Sequence, residues 1–509
     1  MPRYFYDSIK SHAANAPDKA AVIDGETTLT YRQFLERVEK FSGALGGLAL
    51  SPESKLGILC LNQAENLVAI FAALLKGVPF VPLNPLLTPQ DLAFIVRDAK
   101  IDILLVDGVF VKQETRPFFQ LFRHKILAGA CADPGFLGDG AIGFGDFIGS
   151  ADRRDGLKAH ARAAGIPDAI LYTSGTTAQP KGVMLDESQF YLNTGAFLDY
   201  LKLGHEERCI VALPLFHSFG NIMAMTLARV GGCLILLRQF APKTILADIA
   251  RHRATVLPLV PTIYAFLIDL YSRGGYDVSS LRLCISGGAS LPETMLKRVE
   301  KTLGVTVIEG YGLTETSPVI AVNKTSEGSV PGSVGYVLSN VEIKIIDDAG
   351  NPAERGQVGE ILVRGPTVMP GYWNRPEETR EILTADGWLK TGDLGHLDER
   401  NRLYISAGRK KDIIIRAGEN ISPLAIENAL SNHPEVMEVA VVGVTHQRKG
   451  EQVKACIVLR PGGSATEQDL KGYCRKNLPA FMTPDIIQLY EALPKTATGK
   501  ILKSQLREG

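Results

Sequence analysis

Across most of this chain short apolar runs alternate with amphipathic stretches, and the junctions between them are repeatedly glycine turns. Residues 281–285 run into Ser286-Gly-Gly-Ala-Ser290 and then an amphipathic stretch from about Leu291. Residues 306–309 run into GYGLTE (310–315), and 169–172 open into YTSGTTAQPKG (172–182). A strand followed by a glycine turn and a helix is the pattern of parallel sheets, whose neighbouring strands need crossovers that helices supply. Further strands are expected at 55–60, 78–81, 103–106, 209–213, 234–237 and 255–260. Helices are expected at 65–76, stopped by Gly77, and from Thr88-Pro-Gln-Asp91, which combines a cap residue, a first-turn proline and an acid. Ser290 and Glu293 predict a second capping box.

The pattern changes after about residue 330. Residues 341–346, a DDAGN turn and 360–363 read as antiparallel hairpin strands. From about residue 412 a smaller unit follows, with helices near 423–432 and 466–477 and strands at 436–444, 454–459 and 485–490. At 509 residues more than one core is required. The fold class is α/β: a large N-terminal domain (1–407) of flanked, mostly parallel sheets with a small antiparallel barrel-like part, a hinge at 408–412, and a small mobile α+β C-terminal domain (413–509).

Lys plus Arg equals Asp plus Glu at 55 each, so no basic surplus points to nucleic acid. The seven cysteines are scattered, with no metal-ligand spacing and several in apolar runs, which fits a reduced interior. No stretch approaches the roughly 18 uninterrupted apolar residues of a membrane span, and MPRYFYDSIK lacks a signal-peptide pattern. A cytoplasmic protein is expected, with peripheral membrane contact and an oligomeric state left open.

Three threonines, a serine, glycines and a lysine in one loop suit phosphate oxygens. The Walker spacing fails, because Gly175 is followed after four residues by Pro180, Lys181 and Gly182. A polar surface turn has the same composition, so the loop alone leaves both readings open. Two further glycine turns at strand ends place more candidate nucleotide contacts on the same crevice.

Six segments in order, YTSGTTAQPKG, LPLFHSFG (213–220), GYGLTE, WLKTGDLG (388–395), GRKKDIIIRAGENISP (408–423) and PKTATGKI (494–501), resemble the adenylate-forming superfamily, which includes acyl-CoA synthetases. The likeness extends from about Leu29 to Lys500 and is strongest to a fatty-acid–CoA ligase. It implies two half-reactions: ATP and a carboxylate give an acyl-adenylate and pyrophosphate, then a thiol displaces AMP. It also implies site residues. Thr173, Ser174, Gly175, Thr176, Thr177 and Lys181 would cradle the β- and γ-phosphates, with Ala178 where the family has glycine. Gly288, Ala289, Glu309, Gly310 and Tyr311 would flank adenine. Thr314 would hold the α-phosphate or acyl carboxyl, Glu315 would carry Mg²⁺, Asp393 would accept the ribose hydroxyls, and Arg409 would support ribose and phosphate. Lys500 would be the catalytic lysine, Lys411 the hinge and Gly418 the lining of the pantetheine passage. His217 is either a core histidine or a gate beside the acyl pocket.

The stretch Phe216-His-Ser-Phe-Gly carries no acid to pair with an ammonium, so an α-amino acid substrate is disfavoured. The apolar run 221–228 suits an alkyl or aryl tail and equally suits core packing. The expected products are acyl-CoA, AMP and pyrophosphate from ATP, coenzyme A and a small carboxylate, with a medium- or long-chain fatty acid favoured. The alternatives are an aryl acid, an acyl carrier protein as acceptor, and a non-catalytic relative; the last would lack Lys500, Glu315 or the loop, and all are present.

Overall fold

The computed structural model describes residues 4–151, 156–161, 163–173, 179–239, 241–416, 419–446, 450–496 and 499–507. Three sheets organise it. The first has seven strands in the order Ala141–Gly143, His124–Ala128, Ile103–Asp107, Leu56–Leu59, Phe80–Pro82, Ala169–Thr173, Lys181–Leu185. All neighbours are parallel except the last pair, a hairpin. The inner strands are buried on both faces, as in Ile103–Asp107, which explains why they read as unbroken apolar runs.

The second sheet is a ladder of thirteen strands. Its parallel part runs Ala20–Asp24, Cys233–Leu236, Arg208–Val211, Val256–Leu259, Leu283–Ser286, Thr306–Gly312. The last of these also pairs antiparallel with Val319–Val322, so the antiparallel strands continue the parallel ones. The hairpin expected around DDAGN forms between Glu342–Ile346 and Gly359–Arg364.

The helix Ala64–Lys76 is buried almost throughout, and it ends at Gly77, whose φ of 77° is the left-handed conformation glycine adopts without strain. The helix Pro89–Asp98 starts as expected, Thr88 Oγ1 accepting from Asp91 N at 3.1 Å. The second expected capping box does not form. The helix there is Glu293–Leu303, capped by Pro292 without any side-chain bond. Proline occupies the position just before the helix, leaving Ser290 outside the reach of the first turn.

The third sheet, Glu419–Ile421, Ile414–Arg416, Gly450–Leu459 and Val436–His446 with Ile486–Leu489 beside Gly450–Leu459, carries the helices Pro423–Ser431 and Glu467–Asn477 and has its own core around Ile426, Leu430, Val441 and Leu470. It joins the rest through the strand Arg402–Arg409 and a single turn, Lys410–Asp412. No helix among the described residues is long and apolar enough to cross a membrane.

Candidate active site

Ligands of open α/β sheets bind beyond the carboxyl ends of the parallel strands, and Thr173, Gly288 and Glu309 lie at such strand ends. Thr173 and Lys181 are the last paired residues of the hairpin, with Thr173 Oγ1 donating to Lys181 O at 3.5 Å. Residues 174–178, including Ser174, Gly175, Thr176 and Thr177, lie outside the described residues. The base of this hairpin is tied to a distant segment: Trp373 N donates to Gly182 O at 2.7 Å and Met184 N to Gly371 O at 3.2 Å. A Cβ on Gly182 would stand 2.7 Å from Ile170 Cγ2 and 3.1 Å from Tyr172 Cζ, so only glycine permits this closeness. Lys181 Nζ stands 5.4 Å from the centre of the Tyr372 ring, and the Tyr372 hydroxyl donates to Glu315 Oε1 at 2.8 Å. The loop base and Glu315 therefore share one aromatic side chain.

On the adjoining ladder, Leu283–Ser286 turns at Gly287 and Gly288, where φ is +78°. Gly288 and Ala289 are exposed. Glu309 is buried, and its Oε1 accepts from Leu291 N at 2.9 Å. Burial pushes its carboxyl up to about 8, the Leu291 amide opposing. Glu309 thereby pins the turn 288–291 from beneath. Two residues on, the Tyr311 hydroxyl donates to Asp393 Oδ2 at 2.5 Å. Asp393 lies opposite Arg409 in the ladder. The side chains of Arg409 and Lys411, and residues 417 and 418 with Gly418, lie outside the described residues.

Thr314 opens the turn Thr314–Thr316 and donates to Ser218 Oγ at 3.3 Å. Ser218 begins the helix Ser218–Val230, whose cap is His217: its Nδ1 accepts from Phe219 N at 3.3 Å. Acceptance requires a neutral ring, and the ring's basicity agrees, brought down to about 4 by burial and then by the charge of Lys500. The apolar run after it is core. Met223 and Met225 are 0% and 1% exposed.

Lys500 comes from the C-terminal unit. Its loop is closed by Thr496 N to Lys500 O at 2.7 Å and Gly499 N to Thr496 O at 2.9 Å. The loop lies on the N-terminal unit, where a Cβ on Gly499 would stand 3.1 Å from Val260 Cγ2. Beside it is a cavity of about 370 Å³ lined by residues such as Leu61, Pro85, Phe216 and Ile263 with Arg238 and Lys495, and by no carboxylate among the described residues.

Sequence reasoning missed Tyr372 and Ser218. Tyr372 had only its place in a Pro-Gly turn to mark it, whereas Ser218 stood inside a motif already quoted.

The sequence description "AMP-binding enzyme" matches residues 9–373, and "AMP-binding enzyme C-terminal domain" matches 425–500. The chain belongs to the AMP-binding enzyme family. Among its relatives, the long-chain-fatty-acid–CoA ligase of Bacillus subtilis (strain 168) is 34% identical, over 97% of this chain and 92% of that protein. The 3-[(3aS,4S,7aS)-7a-methyl-1,5-dioxo-octahydro-1H-inden-4-yl]propanoyl:CoA ligase of Rhodococcus jostii (strain RHA1) is 32% identical over 98% of each chain. The crystal structure of the anthranilate CoA ligase AuaEII in complex with anthranoyl-AMP superposes with a TM-score of 0.91 at 28% identity, covering 100% of this chain and 97% of that one. As an AMP-binding enzyme this chain is an adenylate-forming protein, of the AMP-forming acyl-CoA synthetase class expected from its six motifs.

Proposed function

We propose that the enzyme activates a carboxylic acid with an apolar carbon skeleton, first as its acyl-adenylate and then as its coenzyme A thioester. The observation that carries this reading is that Lys500, from one unit, stands near enough to His217 of the other for its charge to act on the ring, next to Ser218 and its hydrogen bond from Thr314. A carboxylate is a poor acyl donor. In the first step its oxygen attacks the α-phosphorus of ATP and pyrophosphate leaves; in the second the thiol sulfur attacks the acyl carbon, loses its proton and AMP leaves. Lys500 and Thr314 would meet the charge that builds on the α-phosphate and carboxylate oxygens. Thr173, Lys181 and the loop between them would hold the β- and γ-phosphates. Gly288, Ala289, Gly310 and Tyr311 would border adenine, with Glu309 fixing the turn, and Asp393 and Arg409 would hold the ribose. Neutral His217 would shape the acyl entrance and transfer no proton. Lys411 would be the pivot, and Gly418 would border the thiol arm after the C-terminal unit turns.

The described residues hold no group of three His, Cys, Asp or Glu side chains able to bind a metal unaided. One carboxylate, Glu315, beside a phosphate loop fits Mg²⁺, which needs only one or two protein carboxylates when substrate phosphates supply the rest. Bound there, it would offset phosphate charge, and Tyr372 would orient Glu315.

A medium- or long-chain fatty acid is the first substrate class. It is supported by the absence of acids in 216–220 and, among the described residues, around the interdomain cavity, and by the fatty acid in the name of the Bacillus relative. The packing of Met223 and Met225 into the core favours the second reading, a compact aryl acid. Pyrophosphate release across fatty, aryl and amino acids, with and without coenzyme A, tests the proposal. Fastest turnover of a zwitterionic amino acid, or ADP as product, would overturn it.

A further inference from the structure

The two units meet along one side of the helix Pro261–Tyr271. Gly499 lies over Val260 and Ile263 at its start. Lys495 Nζ, held by Glu438 at 2.6 Å, stands 5.3 Å from the Phe266 ring. One turn further, Asp269 faces two guanidinium groups. Its Oδ1 accepts from Arg298 on the neighbouring helix Glu293–Leu303, within the N-terminal unit. Its Oδ2 lies 3.5 Å from Nη1 of Arg460, in the C-terminal unit. Arg460 is fixed by its own unit, its Nε donating to Pro434 O at 3.0 Å. Two cations thus share one anion, and each is left short: Nη1 of Arg298 and Nη1 of Arg460 are both buried without a hydrogen-bond partner. Burial and the Arg298 charge also depress the basicity of Arg460, against the pull of Asp269.

We propose that Asp269 is a divided clasp, a positioning residue whose carboxylate is split between Arg298 and Arg460, and that this division sets how long the C-terminal unit keeps Lys500 at the site. The inference rests on the two-step reading above. Its physical content is that the two arginines act with opposite sign. Arg460 closes the clasp across the units. Arg298 competes for the same carboxylate from inside one unit, so removing it hands Asp269 wholly to Arg460. A clasp that held fully would obstruct the second half-reaction, and one that did not hold would starve the first.

The experiment measures the two half-reactions separately in Arg460→Gln, Arg298→Gln and Asp269→Asn. Distances between the units are followed by fluorescence transfer between dyes on Lys112→Cys and Gln468→Cys in a Cys131→Ser background. Arg460→Gln should slow adenylate formation about two- to fivefold, the scale of a part-exposed ion pair, while a supplied acyl-adenylate is still converted to thioester at the wild-type rate. Arg298→Gln should do the reverse, slowing the thioester step about two- to fivefold and sparing adenylation. Asp269→Asn should follow Arg460→Gln. The inter-unit distance distribution should broaden in Arg460→Gln and narrow in Arg298→Gln, with or without substrate. Equal effects of both arginine variants on the same half-reaction, or distance distributions unchanged in both, would overturn the clasp. If no acid supports pyrophosphate release, the proposed function fails, and the distances still decide the clasp.

Discussion

The Tyr311 hydroxyl donates to Asp393 Oδ2 at 2.5 Å, joining the end of the parallel ladder to its antiparallel continuation at the place proposed for the ribose. A hydrogen bond to a buried carboxylate is worth about 1.5–3 kcal/mol. Tyr311→Phe removes the bond and keeps the ring proposed to border adenine, so Asp393 alone loses its orientation. The ATP KM should rise about tenfold, or ~1.4 kcal/mol, with kcat much less affected. Asp393→Ala should be far more damaging whichever acid is offered. ATP titrations with circular dichroism as the control for folding check both; an unchanged ATP KM in Tyr311→Phe would refute the coupling.

Glu309 predicts an alkaline weakness. Its folded-state carboxyl is raised from 4.5 to about 8 by burial, so below pH 4.5 its contribution to stability is fully present, and it is lost as pH rises through 8. Glu309→Gln keeps an oxygen for Leu291 N and has no charge to bury. Its melting temperature should exceed that of the wild type at pH 8.5, by about 2 °C or more, and the advantage should shrink at pH 5. Thermal melts at the two pH values decide it.

His217 predicts the opposite slope on the acid side. Its folded-state value is lowered from 6.5 to about 4 by burial and by Lys500. Between those values the unfolded chain takes up a proton that the folded chain refuses, so stability falls as pH drops from 6.5 to 4. Asn can still accept from Phe219 N at a helix cap, so His217→Asn should flatten this part of the stability profile. An unaltered slope would show that His217 titrates normally.

Lys500 should matter to one half-reaction alone. Lys500→Ala is expected to slow adenylate formation about 10²–10³-fold, the usual loss for one preorganised donor to a developing charge. Conversion of a supplied acyl-adenylate to thioester should persist. Single-turnover assays of each step check this, and equal loss in both would contradict a first-step role.

The parallel strands were legible because burial on both faces leaves an apolar signature that no neighbouring element can disguise, as in Ile103–Asp107. Ends were less legible. Ser290 and Glu293 have the right spacing for a cap, but Pro292 claims the position. The run 221–228 could not be assigned from sequence, since a tail pocket and a core want the same side chains; the structure places Met223 and Met225 in the core. Tyr372 was invisible for a different reason: it meets Glu315 from 57 positions away, through a fold in which Met369 N also donates to Glu315 O at 2.8 Å. The pairing of Asp269 with Arg460 is likewise a property of how two units meet.

The helix Pro261–Tyr271 is held from two directions. Its inner side is bound to the ladder, the Tyr264 hydroxyl donating to Leu257 O at 2.5 Å, with Leu267 and Ile268 in the core. Its outer side receives Gly499, Lys495 and Arg460. Alternate positions of one short segment thus answer to different constraints. Across related chains, Tyr264 and Leu267 should drift with the strands beneath them, and Ile263, Phe266 and Asp269 with the unit beyond residue 412. A C-terminal unit transplanted from a relative would have to bring its own versions of those three residues to be accepted.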